Sequence, residues 1–565
     1  MNRAYLYILV VAILFSACGK EKAERSSSDE DVLAHIEDLS VSEAHFKAAF
    51  KKYYYQTGQG IPINSKTRFE VLKHELDRYS VVKFAQDRNW HTTQIAQHEK
   101  EIIRRKVLVE EYERRILHEK VGVTEEDMKT LFKRFNTRVK ASHIYAPTKR
   151  EIDSLYNLLQ DGYSWERMAS EVFSDPRLSD NGGNLGYFSV DEMDPAFENV
   201  AFKLPLNTIS PPVKTTQGWS IVKVTDKVSK PILTKNQFAN KKHQIYQYAL
   251  KRNREMATRR DIQDKAEAFD IPDQLLREMW AAVKADKGEF QKEVVEGDQL
   301  RINLESIDDP TLTDYADFTF TAQDFLREAY YTSAKRRSKI RNFHDFRMFV
   351  EGLVYRSYCI DRIQESPKMD QDFVESSVKE TFYDYLNRRF KDHLYEVTEV
   401  PEEKIRDKYE KDPDSYEKPL ELNIIQIVTE NKEKADAAYS ALQNNIATDR
   451  IIAQYAANDP YVDNGNLGFV PITKFGNLRR DLADLQKGDL FGPQKMQSKE
   501  MYVVIKCLGR KESRPMSYEE AKPEIRDVLM SSAIKRKRSE LISETKQKYN
   551  AQIFKEKLET VPVKL

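Results

Sequence analysis

Apolar residues are spaced along much of this chain as they are in amphipathic helices. In the stretch TRFEVLKHELDRYSVVKFA, Phe69, Leu72, Leu76, Tyr79 and Val82 follow one another at intervals of three or four residues. That spacing places them on one face of a helix, with charged residues on the other faces. Two shorter stretches, VKASHIYA and WSIVKVTDK, are typical of β-strands. The pattern predicts an α+β protein dominated by long helices.

The order of these predicted elements occurs twice. The stretch NLGYF, which begins at Asn184, returns as NLGFV at Asn466, and VTEED at Val123 returns as VPEEK at Val400. Markers of different types that recur in the same order, about 280 residues apart, indicate an internal duplication. We therefore expect two tandem copies of one architecture.

Each copy is predicted to contain the same succession of elements. A short β segment leads into a helix, longer amphipathic helices follow, and a compact α/β unit precedes a long charged closing helix. We expect each closing helix to pack on the leading helices of its own copy, because it carries an apolar stripe. The copies span roughly 32–275 and 296–565, and their closing helices span 237–268 and 517–548.

Composition and charge exclude several classes of protein. The 565 residues include 91 basic and 91 acidic side chains, so the net charge favours neither nucleic acid nor an anionic surface as a partner. The 40% of hydrophobic residues excludes a disordered chain. The three cysteines build no disulfide framework, and no cluster of ligands has metal spacing. The basic runs at Lys335-Arg336-Arg337 and 535–538 lie among acidic residues and are interpreted as solvated helix faces.

The N-terminus has the pattern of an export signal. Arg3 precedes an apolar run over residues 4–15, which is too short to cross a bilayer. Small residues then precede Cys18, so the segment resembles a bacterial lipobox cleaved before that cysteine, although Phe15 stands where leucine is commoner. The alternative is an ordinary signal peptide with an incidental cysteine. The charged, Ser-rich residues after Cys18 are typical of a flexible tether.

The α/β unit of the first copy resembles a parvulin-type peptidyl-prolyl isomerase domain. The motifs that carry the resemblance fall in that family's order and spacing. They are Ser142-His143-Ile144, Ser174-Asp175-Pro176, the loop GGNLG from Gly182, Met193 with Phe197, and Val213-Lys214-Thr215. The duplicated layout with flanking helices resembles the SurA-type periplasmic chaperones and related lipid-anchored isomerases.

The resemblance implies a site that rotates a peptide bond without breaking one. Such a reaction needs no metal, cofactor or strong nucleophile, only a slot for the proline ring and polar groups near the twisted amide. Met193 and Phe197, four residues apart, are expected to line one wall from a single helix. The implied catalytic residues are His143, Asp175 and Ser220, and the implied substrate-binding residues are Leu185, Met193, Phe197, Thr215 and Trp219.

Each of these residues also has a purely structural interpretation. A lone histidine in an apolar strand is usually a core residue, an aspartate before proline commonly starts a turn, and Met and Phe at helical spacing usually belong to a core. Only their joint order favours a proline site. Ser220 stands where the family usually has a second histidine. Serine can donate and accept a hydrogen bond but does not titrate near neutrality, so catalysis is expected to be weakened.

The second copy is predicted to keep the fold and lose the catalytic residues. It preserves Asp459-Pro460 and the loop NGNLG, but Gln426 replaces His143 and Val503 replaces Ser220. We expect this copy to bind or space polypeptides without catalysis. The predicted domains are a signal peptide (1–17), a tether (18–31), a SurA-like helical region (32–138), a parvulin domain (139–228), a closing helix and linker (229–295), a second helical region (296–419), a degenerate parvulin-like domain (420–510) and a C-terminal helix (511–565).

Two functions from different classes follow from these predictions. The first is a lipid-anchored prolyl isomerase that accelerates the folding of exported proteins. The alternative is a non-catalytic chaperone that holds unfolded clients in the periplasm. Both imply partners that are unfolded exported polypeptides containing X–Pro bonds, no nucleic acid, and a bacterial cell-envelope location facing the periplasm. The lipid on Cys18 would anchor the protein to the outer membrane.

Overall fold

The fold is given by a computed structural model that divides into two compact units. The first unit comprises Met1–Arg388 and Tyr549–Leu565, and the second comprises Arg389–Lys548. The described residues are 31–57, 62–230, 235–293, 300, 302, 304, 311–457, 463–496 and 501–563.

Three sequence predictions fall outside these described residues. They concern the signal segment and tether through residue 30, the lipidation site Cys18, and the Asp459-Pro460 motif. Among the helices that are described, none combines the length and the apolar composition needed to cross a membrane.

The first half of the chain, up to residue 291, follows the predicted succession of helices and strands. The hairpin and its leading helices are β1 (Val32–Ile36), β2 (Leu39–Ser42), α1 (Glu43–Thr57), α2 (Ser65–Asp87), α3 (Gln94–Tyr112) and α4 (Glu125–Phe135). The first α/β unit contains β3 (Thr137–Ala146), α5 (Lys149–Gln160), α6 (Trp165–Val172), α7 (Pro176–Ser179), β4 (Asn184–Phe188), α8 (Pro195–Lys203), β5 (Val213–Lys214) and β6 (Trp219–Ser229). It is followed by α9 (Lys235–Ala268), α10 (Asp273–Ala285) and α11 (Lys287–Gln291).

The second half of the chain, from residue 311 onwards, repeats the succession and ends in a short tail. Its hairpin and helices are β7 (Thr311–Tyr315), β8 (Phe318–Thr321), α12 (Ala322–Tyr330), α13 (Ala334–Arg337), α14 (Phe343–Gln364), α15 (Gln371–Glu396) and α16 (Glu402–Lys411). The second α/β unit and its closing helix contain β9 (Glu417–Lys418), β10 (Glu421–Thr429), α17 (Lys432–Gln443), α18 (Thr448–Tyr455), β11 (Gly465–Pro471), α19 (Arg479–Leu482), β12 (Leu490–Lys495), β13 (Tyr502–Lys511), β14 (Arg514–Pro515) and α20 (Tyr518–Lys548). The tail, in unit one, comprises β15 (Gln552–Ile553) and α21 (Lys555–Thr560).

The C-terminal tail completes the hairpin of the first copy. Strand β15 pairs antiparallel with β1, with Ala34 opposite Ile553 and His35 opposite Gln552. Leu558 of α21 is 1% exposed and belongs to the core that includes β1 and α2. A segment of the second copy therefore covers the β1–β2 hairpin of the first.

The segment after α9 makes the reciprocal contact with the second copy. The ring of Phe269 packs against Tyr315, Phe318 and Tyr358, with centroid distances of 5.7, 6.0 and 5.6 Å. The hydroxyl of Thr313 on β7 donates to the Phe269 carbonyl at 2.7 Å. Each copy thus closes the hairpin of the other, and apolar residues of both copies form one continuous core.

The closing helices themselves pack as expected on their own copies. Ile245 and Ala249 of α9 share a buried cluster with Leu131 of α4. Ile405 of α16 is buried with Ala521 and other apolar residues of α20 in unit two. The packing of the segments that follow α9 and α20 on the hairpin of the other copy was not predicted. An apolar pattern identifies a buried face without identifying its partner.

The interpretation of Lys335-Arg336-Arg337 as a solvated face is wrong for Arg337, which has no exposed surface. Its guanidinium donates to the carbonyl oxygens of Phe290 at 2.6 Å, Ala329 at 3.1 Å and Lys292 at 2.6 Å, and also to that of Thr332. These carbonyls lie at the C-terminal ends of α11 and α12, where backbone acceptors lack helical partners and a cation is favoured. Arg337 therefore joins the second copy to the linker segment that precedes it.

The exchange of segments predicts where destabilisation is felt. Phe269→Ala should destabilise unit one by about 3–5 kcal/mol, the usual cost of removing a buried aromatic ring. It should increase hydrogen exchange in residues 311–321 of the second copy. Leu558→Ala should instead increase exchange in residues 32–42 of the first copy. Hydrogen–deuterium exchange with mass spectrometry measures both effects.

Tyr55→Ala is the matched control, because Tyr55 is 56% exposed. It should leave the exchange of both hairpins unchanged. Increased exchange confined to residues 32–42 in Phe269→Ala would contradict the exchanged arrangement.

Candidate active site

The first α/β unit is built around a four-stranded antiparallel sheet with the order β4-β3-β6-β5. On β3, Val139 and Ala141 face one apolar cluster, whereas Ile144 and Ala146 face another on the opposite side of the sheet. Since side chains alternate along a strand, His143 lies on the face of Val139 and Ala141. Ser220 of β6 lies on this same face, because its neighbours Trp219 and Ile221 belong to the opposite cluster.

The imidazole of His143 is enclosed by one hydroxyl and two aromatic rings. Its Nδ1 lies 3.4 Å from Ser220 Oγ. The ring of Phe173 lies 5.3 Å away between centroids, and that of Phe197 lies 6.0 Å away in an edge-on arrangement. His143 therefore has a weak polar contact on one side and apolar surfaces on others.

The close approach of the loop before β4 to strand β3 explains why position 183 is a glycine. Its carbonyl accepts the His143 N–H at 3.0 Å, and its φ of 69° is in the left-handed region. A Cβ at this position would lie 2.2 Å from the His143 carbonyl oxygen and 3.0 Å from the Phe173 ring. Only glycine lets the loop approach the strand this closely, and the approach fixes the backbone of His143.

Leu185, Met193 and Phe197 lie together on the face that carries His143. Phe197 is 4% exposed, whereas Leu185 and Met193 are half-buried. The three side chains provide an apolar surface beside the imidazole, part of which reaches solvent. This is the environment that a pyrrolidine ring requires.

The expectation that Met193 and Phe197 line the wall from one helix is wrong in one respect. Helix α8 begins at Pro195, so Met193 precedes it. Met193 is held instead by its N–H, which donates to Glu198 Oε1 at 3.1 Å. Asp194 caps the helix by accepting the Ala196 N–H at 2.8 Å, and Pro195 follows at the start, which is why the helix cannot extend back to Met193.

Two other predicted site residues have local structural contacts. The carbonyl of Asp175 accepts the N–H groups of Leu178 and Ser179, both at 2.9 Å, and so starts α7. The Thr215 hydroxyl donates to the Gly218 carbonyl at 3.1 Å and closes the turn before β6. Their proposed roles at the substrate stay predictions.

Trp219 is separated from the other predicted site residues. It packs in the cluster on the opposite face of the sheet, and the ammonium groups of Lys214 and Lys149 lie 5.2 and 5.9 Å from its ring. Strand alternation accounts for the separation, since adjacent residues of β6 point to opposite faces. We therefore leave Trp219 out of the proposed slot.

Phe173 is a candidate site residue that sequence reasoning missed. It covers the His143 ring from the end of α6, immediately before the Ser174-Asp175-Pro176 motif. Its position next to that motif was the available signal. Nothing in its spacing distinguishes it from the core residues of α6.

Burial lowers the pKa of His143 from 6.5 to about 4. The cause is desolvation, which disfavours the charged imidazolium. The site therefore presents a neutral imidazole and a hydroxyl next to an apolar surface at neutral pH. Such an arrangement can bind and polarise an amide without a charge on the imidazole.

The second α/β unit has the same sheet and a different centre. Its order is β11-β10-β13-β12, and Gln426 pairs with Ile505 as His143 pairs with Val222. The amide of Gln426 donates to the Asp463 carbonyl at 2.7 Å, and Val503 is 3% exposed in an apolar cluster. In this unit, a hydrogen-bonded glutamine amide therefore takes the place of His143, and a buried valine takes the place of Ser220.

The comparisons with known proteins match both α/β units. Two family models, each described as a PPIC-type PPIase domain, match residues 117–228 and 400–523. The chain is 30% identical over 207 residues to the foldase protein PrsA of Oceanobacillus iheyensis, which covers 35% of this chain and 69% of that protein. It is 33% identical over 144 residues to a parvulin-like PPIase of Rickettsia bellii, covering 25% and 51% of the two chains. The crystal structure of PrsA from Bacillus anthracis is similar, with 23% identity, a TM-score of 0.20, and coverage of 40% of this chain and 89% of that chain.

The burial of His143 predicts a titration well below that of an exposed histidine. We expect its imidazole signals in the NMR spectrum to titrate with a pKa of about 4, as desolvation dictates. Because the pKa in the unfolded chain is higher, near 6.5, the unfolded chain binds more protons. The contribution to stability is present above about pH 6.5 and is lost as the pH falls towards 4.

His143→Gln assigns the signals, since only those of His143 should disappear. A midpoint for His143 near 6.5, the value of the unfolded chain, would contradict the buried site.

Proposed function

Because this chain belongs to the parvulin-type family of peptidyl-prolyl isomerases that includes the PrsA foldases, we propose that its slot at residues 185–197 accelerates the folding of exported proteins. The family assigns the enzyme class, which is peptidyl-prolyl cis-trans isomerase. The observation that carries the proposal is the grouping of Leu185, Met193 and Phe197 beside the neutral imidazole of His143.

The chemistry of the reaction fits these side chains. Rotation about an X–Pro bond is opposed by amide resonance, with a barrier of about 18–20 kcal/mol. Resonance gives the planar amide a larger dipole than the twisted amide, so an apolar slot that replaces water disfavours the planar form relative to the twisted one. In our proposal Leu185, Met193 and Phe197 hold the proline ring, and His143 with Ser220 hydrogen-bonds near the amide as it loses conjugation.

The serine at position 220 lowers the expected rate without abolishing the reaction. His143 and Ser220 still form a polar pair, at 3.4 Å. Because the imidazole stays neutral, the proposed mechanism requires no proton transfer. We therefore expect the activity to be independent of His143 protonation above about pH 5, one unit over its pKa of about 4.

The second α/β unit favours an additional holding function. Val503 and Gln426 replace the polar pair of the first unit, while Leu467 and Phe475 keep the apolar cluster beside the sheet. A cleft of this kind can bind an extended apolar segment and lacks the groups proposed to act on the amide. We propose that this unit contributes to binding unfolded clients without isomerising them.

We further propose that the protein acts outside the cytoplasm, anchored through a lipid on Cys18. The support is the N-terminal pattern in the sequence, with an apolar segment followed by small residues and a cysteine. The clients would be exported polypeptides that meet the protein in the cell envelope, at the outer membrane of a bacterium.

The slot predicts the effect of two substitutions on isomerisation by the full chain. Met193→Ala should lower kcat/KM for an X–Pro peptide by roughly tenfold, or about 1.4 kcal/mol, because the slot loses a wall. His143→Ala should lower it by a similar factor. An NMR exchange assay measures the rates, and His344→Ala, at an exposed histidine, should retain the full rate.

The same variants separate the two functions when aggregation of an unfolded client is followed. Met193→Ala should retain suppression of aggregation, since holding is assigned to surfaces beyond the slot. If the wild-type chain gives no rate above the uncatalysed one, the catalytic proposal is wrong and only holding remains.

The anchor predicts metabolic labelling by a radioactive fatty acid. Cys18→Ser should abolish the label, because the thiol is the acceptor. Cys359→Ser is the matched control, since Cys359 is a buried free thiol, and it should retain the label. Equal labelling of the Cys18→Ser variant would contradict the anchor.

A further inference from the structure

Helix α9 presents three polar side chains to the segment that carries Met193. Tyr248, Arg252 and Arg259 are four and seven residues apart, so they lie close to one face of the helix. Beside this polar row, Ile245 and Ala249 pack against Val190 in a buried cluster. The stretch from Val190 to the start of α8 therefore rests on α9.

The contact between Arg252 and Glu198 is buried and reaches Met193. Glu198 has no exposed surface and Arg252 is 8% exposed. Arg252 donates to Glu198 Oε2 at 2.7 Å, and the other carboxylate oxygen accepts the Met193 N–H at 3.1 Å. One carboxylate thus joins the helix α9 to the backbone of a proposed slot residue. Phe197, the neighbouring slot residue, precedes Glu198 on α8.

The second arginine holds the residue next to Met193. Arg259 donates to Asp194 Oδ2 at 3.0 Å, and the same oxygen accepts the N–H and hydroxyl of Thr216 at 3.1 and 3.0 Å. The other oxygen, Oδ1, caps α8 through the Ala196 N–H. Arg252 also lies 3.3 Å from Asp191, whose carboxylate accepts the Tyr248 hydroxyl. The carboxylates of Asp191, Asp194 and Glu198 are therefore all bound by side chains of α9.

The far end of α9 is fixed to the core shared by the two copies. Asp261 accepts the hydroxyl of Tyr112 from α3 at 3.2 Å and that of Tyr355 from α14 at 2.8 Å. One turn earlier, the Thr258 hydroxyl lies 3.0 Å from His118 Nε2. Arg259 therefore lies two residues from a side chain that contacts both copies, which joins the slot to the helical core.

We propose that α9 is part of the isomerase site and that Arg252 and Arg259 are positioning residues for isomerisation. This inference rests on the proposed function of the slot. Neither arginine is placed at the substrate. They act through Glu198 and Asp194, which set the position of Met193 and the start of the helix that carries Phe197. An α/β unit without α9 would have the slot residues but lack the contacts that hold them.

Removal of Arg252 should disturb the slot more than the sheet. Without its guanidinium, the buried Glu198 carboxylate loses its ion pair and keeps the Met193 N–H and the more distant charge of Arg134, which is unfavourable. The side chain then has to protonate or turn towards water, and Met193 loses a fixed acceptor. Removal of both charges should restore the slot, because a glutamine at 198 still offers a carbonyl oxygen to Met193.

The test measures kcat and KM of the full chain for an X–Pro peptide in four variants. Arg252→Gln should lower kcat/KM at least fivefold, and Arg259→Gln should lower it about twofold to fivefold because that arginine is partly exposed. The double variant Glu198→Gln with Arg252→Gln should recover most of the rate. Lys251→Gln is the matched control, since Lys251 neighbours Arg252, is exposed, and lies 3.8 Å from the half-buried Glu255. It should match the wild type.

Hydrogen exchange of β3 and β6 in the same samples separates positioning from unfolding. Unchanged exchange of the sheet together with a lower kcat/KM supports positioning, and so does recovery in the double variant. If Arg252→Gln unfolds the unit, the rate of Arg259→Gln becomes the test of positioning. The Arg259→Gln change leaves the buried pair of Arg252 and Glu198 intact.

Rates for Arg252→Gln and Arg259→Gln equal to that of Lys251→Gln, in a chain whose wild type is active, would overturn the inference and leave the proposed function standing. A wild type without activity would overturn both.

Discussion

The hydrophobic core shared by the two copies is the constraint on which the first unit depends. Each hairpin is covered in part by a segment of the other copy. Strand β15 pairs with β1, and Phe269 packs against β7 and β8. Each copy therefore exposes apolar surface unless the other is folded. Burial of such surface is the main favourable term in folding, so the two halves of this core should form together. Arg337, with its four carbonyl acceptors, adds a polar connection between the second copy and the linker that precedes it.

This shared core determines what α9 can do. One part of the helix is bound by tyrosines from both copies at Asp261, and another carries the arginines that bind Glu198 and Asp194. A helix is stiff over this distance, since its backbone hydrogen bonds are all internal. The position of Met193 therefore depends on the helical core as well as on the sheet that carries His143.

The two α/β units share one fold and differ in the side chains at two equivalent positions. Their sheets have equivalent orders and registers, yet the first has His143 and Ser220 where the second has Gln426 and Val503. The apolar cluster beside the sheet is present in both. Replacing two polar side chains changes the proposed chemistry and leaves the apolar packing beside the sheet. In this protein, duplication is thus compatible with a division between isomerisation and binding.

The sequence by itself determined the repeated architecture and the long helices. Periodicity predicted the closing helices at 237–268 and 517–548, and the structure has them at Lys235–Ala268 and Tyr518–Lys548, because helical spacing is a local property of the chain. The resemblance to the parvulin family singled out His143, Met193 and Phe197, whose role at a proline site stays a prediction. Only the tertiary structure decided that the copies exchange the segments beyond their closing helices, that Trp219 lies on the far face, that Phe173 covers His143, and that Arg252 and Arg259 bind Glu198 and Asp194. These are contacts between residues distant in sequence, and an apolar or charged pattern records that a side chain needs a partner without recording which partner it meets.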